Sequence, residues 1–157
     1  MRIGVGYDTH RLVADRPLVL GGVTIPYEQG LAGHSDADVL LHALSDALLG
    51  AAALGDLGTH FPDTADEWEG ADSLDLLARV VEAVRSAGYG PHNVDTTVIL
   101  ERPPLRPYIG AMEDNIATGL DLAPGAVSVK ATTNEGLGAI GRGEGAAAHA
   151  VCTLTSR

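Results

Sequence analysis

Asp8-Thr9-His10 and, farther along, His42 are residues whose types suit a metal ion. Two imidazoles and one carboxylate match a borderline-soft cation, and a three-ligand set leaves the fourth tetrahedral position open, as catalytic zinc sites do. Asp8 and His10 are two apart, so on a strand they project from one face and can chelate a single ion. By spacing alone they also read as a surface hydrogen-bond pair, and His42 as a satisfied core histidine. His34-Ser35-Asp36 gathers donors and acceptors just ahead of an apolar helix, where unpaired backbone N–H groups favour anionic oxygens. The same triplet also reads as a helix cap beside a loop histidine. Asp56-Leu57-Gly58, Phe61-Pro62-Asp63 and Thr132-Thr133-Asn134-Glu135 have the composition of turns. The last of these joins hydroxyls to a hard carboxylate, as magnesium-phosphate sites do.

Three familiar signatures fail. The only lysine, Lys130, follows Val127-Ser128-Val129 and not a glycine loop, which removes a Walker-type phosphate cradle. Gly136, Gly138 and Gly141 have dinucleotide-fingerprint spacing, yet the Arg142-Gly143-Glu144-Gly145 that follows cannot open a sound helix. Gly33-His34-Ser35-Asp36-Ala37 misses the nucleophile elbow of serine hydrolases at its last residue and follows no strand.

Alternating strands and helices must position these groups. Ile3, Val5 and Tyr7 alternate with small or polar neighbours and predict a first strand; Leu18-Val19-Leu20 predicts a short second one ending at Gly21-Gly22. An apolar helix over residues 39–54 follows, capped by Asp36 or Asp38, and its several apolar sides place it between layers or at a subunit contact. Residues 55–70 form a loop long enough to serve as a lid. Ser73 is expected to cap a second helix with Leu74, Leu77, Val80, Val81 and Val84 as its stripe. A strand over 94–100, a break at Pro103-Pro104, a helix over 107–119, a strand over 127–131, a glycine-dense turn over 136–145 and a final strand over 146–154 complete the pattern. The interleaving predicts a two-layer α+β domain, one mixed sheet packed against helices.

A chain of 157 residues suits a single domain over 1–157. Its 21 acidic and 10 basic residues give a net charge of −11, which argues against nucleic acid as a partner. No apolar run reaches the roughly 18 to 20 residues of a membrane span. The opening Met1-Arg2-Ile3-Gly4 lacks the pattern of an export signal, so a cytoplasmic location is expected. A single Cys152 excludes an intrachain disulfide and any cysteine-rich zinc site.

Taken together, the ordered motifs resemble the 2-C-methyl-D-erythritol 2,4-cyclodiphosphate synthase family over nearly the whole chain. They are Asp8-Thr9-His10, Gly21-Gly22, Ala32-Gly33-His34-Ser35-Asp36 running on to His42 and Asp46, Gly55-Asp56-Leu57-Gly58, Phe61-Pro62-Asp63, Asn93-Val94-Asp95, Lys130-Ala131-Thr132-Thr133 and residues 141–145. The resemblance implies a homotrimeric enzyme, with active sites between subunits, that cyclises a cytidine diphosphate ester of methylerythritol phosphate and releases CMP. It implies Zn2+ on Asp8, His10 and His42, and Mg2+ or Mn2+ on Glu135. His34 and Thr133 would stabilise the transition state, with Ser35 at the phosphates. Asp56, Leu57, Gly58, Phe61 and Asp63 would wall the methylerythritol. Leu100, Pro104, Leu105 and Arg106 would hold the cytidine, and Thr132, Asn134, Ala139 and Arg142 would complete the substrate contacts. Pro104, Asn134, Gly136 and Ala139 depart from the family's usual residues, all at the nucleotide end. Arg142 and Glu144 would either line a cavity on the trimer axis, able to take an isoprenoid diphosphate, or pair between subunits.

Two other readings compete. In a metal-dependent phosphohydrolase the open metal position would activate water. In a non-catalytic binding module a fourth protein ligand would close the site.

Overall fold

Residues 1–157 are all described by the computed structural model. The strands are β1 (Arg2–Ala14), β2 (Leu18–Leu20), β3 (Val23–Ile25), β4 (Gln29–Leu31), β5 (Tyr89–Ile99), β6 (Val127–Thr132) and β7 (Gly145–Ser156). The helices are α1 (Val39–Ala52), the single turn α2 (Leu57–His60), α3 (Ser73–Ser86), α4 (Ile109–Leu120) and the single turn α5 (Gly138–Gly141). Five strands form a mixed sheet in the order β4-β1-β7-β5-β6, with only β5 and β6 parallel. The expected two-layer α+β domain is therefore present, with a separate β2-β3 hairpin that the sequence pattern only half revealed.

Small residues decide how closely the layers approach. Gly4 and Gly6 point from β1 at α1, and a Cβ on either would run into the carbonyl oxygen of Ala47 or Ala43. Ala146, Ala148 and Ala150 of β7 are fully buried beneath the same helix. Continuing along β1 by the same alternation, Asp8 and His10 follow Gly4 and Gly6 on the helix side. The opposite parity is outward: Ile3, Val5 and Tyr7 are 71%, 70% and 52% exposed. Here the apolar set of the first strand faces away from the core, because a side chain larger than hydrogen cannot fit under α1.

Asp38, and not Asp36, caps α1 by accepting from Leu41 N–H at 3.1 Å. Its other oxygen contacts are the amides of Gly21 at 3.0 Å and Gly22 at 2.7 Å, which tie the β2-β3 turn to the helix start. Burial pushes the Asp38 carboxyl above its ordinary value, and nearby Asp36 adds to the rise. The helix ends at Ala52, two residues earlier than the pattern predicts, because Ala53 turns left-handed at φ 60°. The cap of α3 is Asp72 in place of Ser73, and α4 starts at Ile109 after a 3-10 turn over Arg106–Tyr108.

Candidate active site

Three donors meet where β1 faces the first turn of α1. Asp8 Oδ2 lies 3.0 Å from His10 Nε2 and 3.0 Å from His42 Nδ1, and the two ring nitrogens are 3.3 Å apart. No further Cys, His, Asp or Glu joins this cluster. The geometry favours the metal reading over a surface pair or a core histidine, since one cation can replace the protons that these three atoms would otherwise share. Partial burial raises the Asp8 carboxyl, but hydrogen bonds from His10 and His42 more than offset it and hold it at about 2. The His10 imidazole is raised, chiefly by its hydrogen bond to Asp8.

The far side of each imidazole is also engaged. His10 Nδ1–H donates to the Ala32 carbonyl at 2.7 Å, which leaves Nε2 with its lone pair toward the cluster. His42 Nε2–H lies 3.0 Å from Ser73 Oγ and 3.2 Å from Ser35 Oγ, which leaves Nδ1 free to coordinate. Ser73 in turn donates its hydroxyl proton to Asp36, whose other oxygen accepts from Ser73 N–H at 2.9 Å. Such outer contacts fix tautomer and ring orientation in metal sites. The donor set thus fits a divalent cation such as zinc. Ser73 and Asp36 belong to this site although the sequence pattern casts both as helix caps. The signal that separates the roles is Asp72, an equally good cap that sits one residue before Ser73 and accepts from Leu74 N–H.

Beside the cluster lies a cavity of about 230 Å³ lined by His10, Gly33, His34, Ser35, His42, Leu57, Phe61, Asp63, Trp68 and Leu76. It unites seven of the expected site residues, His10, His34, Ser35, His42, Leu57, Phe61 and Asp63. One wall is the segment 55–70, folded against the His34 loop. His34 Nε2–H donates to the Ala65 carbonyl at 3.0 Å, and the His34 carbonyl accepts from Gly70 N–H at 2.8 Å. Trp68 meets Phe61 edge-on at 5.0 Å and is covered by the Arg79 guanidinium at 5.2 Å. Asp56 and Gly58 are outside the lining; the Asp56 carboxylate caps α2 through Thr59 N–H at 2.8 Å and Thr59 Oγ–H at 2.7 Å. Those hydrogen bonds lower its pKa. Asp46 accepts from Leu57 N–H at 2.7 Å and so ties α2 to α1.

A second cavity, of about 730 Å³, opens at the far end of the sheet between β6 and the proline loop. It brings together Leu100, Pro104, Leu105, Arg106, Thr132 and Thr133, half of them apolar, as a base-sized ligand requires. The two cavities share no lining residue, so His34 and Thr133 do not meet in one chain. Glu101, two residues past the end of β5, accepts from the amides of Asn134 at 3.1 Å and Gly136 at 3.2 Å. This contact braces the turn in which Glu135 sits left-handed at φ 52°. The Asn134 side chain donates to the Leu137 carbonyl at 3.0 Å. Ala139 lies in α5, outside these cavities. Arg142 Nε donates to Glu144 at 2.6 Å, so this pair forms within the chain and needs no neighbouring subunit.

The YgbB family model matches residues 1–155. The chain is 67% identical over 156 residues to the 2-C-methyl-D-erythritol 2,4-cyclodiphosphate synthase of Salinibacter ruber, with 99% of each chain covered. It is similar to the structure of the bifunctional IspDF from Campylobacter jejuni, with a TM-score of 0.96 and 44% identity, over 99% of this chain and 42% of that one. It is also similar to a 2C-methyl-D-erythritol-2,4-cyclodiphosphate synthase structure in its CDP-bound form, with a TM-score of 0.90 and 38% identity, covering 98% of this chain and 100% of the other. With an open three-donor cluster and this likeness over almost its entire length, the chain belongs to the YgbB family, that of the 2-C-methyl-D-erythritol 2,4-cyclodiphosphate synthases.

Proposed function

We propose that the protein converts 4-diphosphocytidyl-2-C-methyl-D-erythritol 2-phosphate into 2-C-methyl-D-erythritol 2,4-cyclodiphosphate and CMP, a step of non-mevalonate isoprenoid precursor synthesis. The carrying observation is the three-donor cluster Asp8, His10 and His42, left open to a cavity that also holds His34, Ser35 and Asp63. In this reaction a bond forms between an oxygen of the 2-phosphate and the β-phosphorus. The bond from the β-phosphorus to the oxygen bridging the α-phosphorus breaks, and its electron pair leaves with CMP. This is phosphorus-oxygen lyase chemistry. The nucleophile is already an anion, so the chain supplies no general base, and its task is to fold the substrate and stabilise charge.

Asp8, His10 and His42 would hold a zinc ion, and Glu135 a magnesium or manganese ion. When bound, these ions supply positive charge at the phosphate oxygens. The chain itself has few cations for that purpose, with 10 basic residues against 21 acidic. His34 and Ser35 would receive the phosphates, His34 and Thr133 stabilising the transition state. Leu57, Phe61 and Asp63, with Asp56 and Gly58 beside them, would enclose the methylerythritol. Leu100, Pro104, Leu105 and Arg106 would hold the cytidine, and Thr132, Asn134, Ala139 and Arg142 would contact the rest of the nucleotide.

Two observations support a homotrimer with shared sites. The metal-side and nucleotide-side cavities are separate within one chain, and the outward face of the sheet carries Ile3, Val5, Tyr7 and Val151 in the open. A cytoplasmic location fits the reading, and no helix is long and apolar enough to cross a membrane. The net charge of −11 supports a small-molecule substrate over nucleic acid. Incubation with the cytidine diphosphate substrate and magnesium, followed by phosphorus NMR, tests the reaction. The cyclic diphosphate with CMP is expected; free phosphate would favour the hydrolase instead.

A further inference from the structure

The loop ahead of α1 carries three consecutive amides, of Gly33, His34 and Ser35, that meet no acceptor within the chain, and the last two lie on either side of the His34 side chain. The orientation of each is set by what holds the carbonyl of its own peptide plane, because a trans peptide points N–H and C=O in opposite directions. The Gly33 carbonyl accepts from Arg16 Nη1 at 3.0 Å, and the Ser35 carbonyl accepts from Arg16 Nη2 at 2.9 Å. One guanidinium therefore brackets His34. The His34 carbonyl is taken by Gly70 N–H. The loop has little room to slide, since a Cβ at Gly33 would stand 2.8 Å from Ala37 Cβ and 3.1 Å from His10 Cε1. Arg16 itself is absent from the cavity lining that includes Gly33, His34 and Ser35.

We propose that Arg16 is a positioning residue: its two-pronged hold on the Gly33 and Ser35 carbonyls turns the His34 amide, beside that of Ser35, toward a phosphate oxygen of the substrate. Consecutive amides presented together make a concavity for anions. A planar guanidinium can satisfy two carbonyls at once in fixed geometry, whereas an ammonium is a single point charge on a flexible stem. The chain's five ion pairs do not include Arg16, so its charge is free to polarise the Gly33–His34 peptide plane, while its second prong anchors the Ser35–Asp36 plane, whose N–H is held by the Ala71 carbonyl. The inference rests on the cyclase reading, and its test separates the two.

The zinc-loaded parent, Arg16→Met, Arg16→Lys and Arg16→Ala are assayed for cyclisation, zinc content and melting temperature. Misaiming an oxyanion donor is expected to lower kcat about 10- to 100-fold in Arg16→Met, with KM changed less and zinc content equal to the parent's. Arg16→Lys falls between the two. Millimolar guanidinium ion restores part of the kcat of Arg16→Ala and leaves the parent unchanged, a response that a purely structural role would not give. Parent-like kcat in both Arg16→Met and Arg16→Lys overturns the inference while the cyclase reading stands. Zinc lost in proportion to activity overturns it too, by placing the effect at the metal cluster. If Arg16→Met fails to fold, Arg16→Lys decides by the same criteria. A parent that forms no cyclic product overturns the functional reading, and the role of Arg16 with it.

Discussion

Thr9 of β1 and Thr132 of β6 stand on one line across the sheet: Thr9 is opposite Ala147, Ala147 opposite Ile99, and Ile99 opposite Thr132. Three strand spacings separate them, about 14 Å. The Asp8 and His10 donors flank one end of that line, and the cavity lined by Leu100, Arg106 and Thr133 begins at the other. That separation is what supports the proposed site between neighbouring copies, one bringing the metal side and the other the second cavity.

That relationship predicts complementation. His42→Ala removes a donor from the cluster and Thr133→Ala alters the opposite cavity, so each alone should abolish or sharply reduce turnover while the protein remains folded. Unfolded and reassembled as an equal mixture, trimers with sites between chains should recover about a quarter of the parent sites by random pairing. Recovery is read as CMP release per active site. No recovery in a mixture shown by mass to contain hybrid trimers would place the whole site in one chain.

Ser73 provides a separate test of the metal cluster. Ser73→Ala deletes the hydroxyl 3.0 Å from His42 Nε2 and leaves Asp72 to cap α3. Zinc affinity should weaken about 10- to 100-fold. Competition with a chromophoric chelator measures it. Affinity equal to the parent's would show that Ser35 suffices to hold the His42 tautomer.

The metal-free protein should respond to pH in two steps. The Asp8 carboxyl is lowered to about 2, so its contribution is complete above its ordinary value of 3.8 and lost as pH falls toward 2. The His10 imidazole is raised above 6.5, so its contribution is complete below that value and lost as pH rises through the folded-state pKa. Between about pH 6 and pH 8 the melting temperature of chelator-treated protein should therefore fall, apart from other titrations. Metal affinity should rise over the same interval, because coordination requires neutral His10. Zinc-dependent stabilisation that shrinks with rising pH would contradict the assignment.

Glu135→Gln keeps the size of the side chain and removes its charge. It should depress turnover by orders of magnitude, leave zinc at Asp8, His10 and His42 intact, and flatten the dependence of rate on added magnesium. The alternative is a residue that only shapes the turn, where it sits at φ 52°. A magnesium titration superimposable on the parent's, at comparable turnover, would remove Glu135 from the metal chemistry.

Strand parity is a local property, so Asp8 and His10 were legible as partners from their spacing, and the two-layer arrangement from the alternation of element types. The glycines at 4 and 6 were visible too, but not what they meant. Only the approach of α1 shows that the bulky residues of β1, Ile3, Val5 and Tyr7, must face outward.

The residue types alone established the donors, the shortage of cations and the motifs of the family. The tertiary structure decided which of them meet. His42 joins Asp8 and His10 because alanine and glycine let a helix lie directly on a strand. Ser73 turns from cap to ligand support because Asp72 takes the helix end. Arg16 reaches the His34 loop because the chain doubles back between β1 and α1. Each partner comes from a segment distant in sequence, and hydrogen-bond geometry is sensitive to fractions of an ångström that no spacing rule encodes.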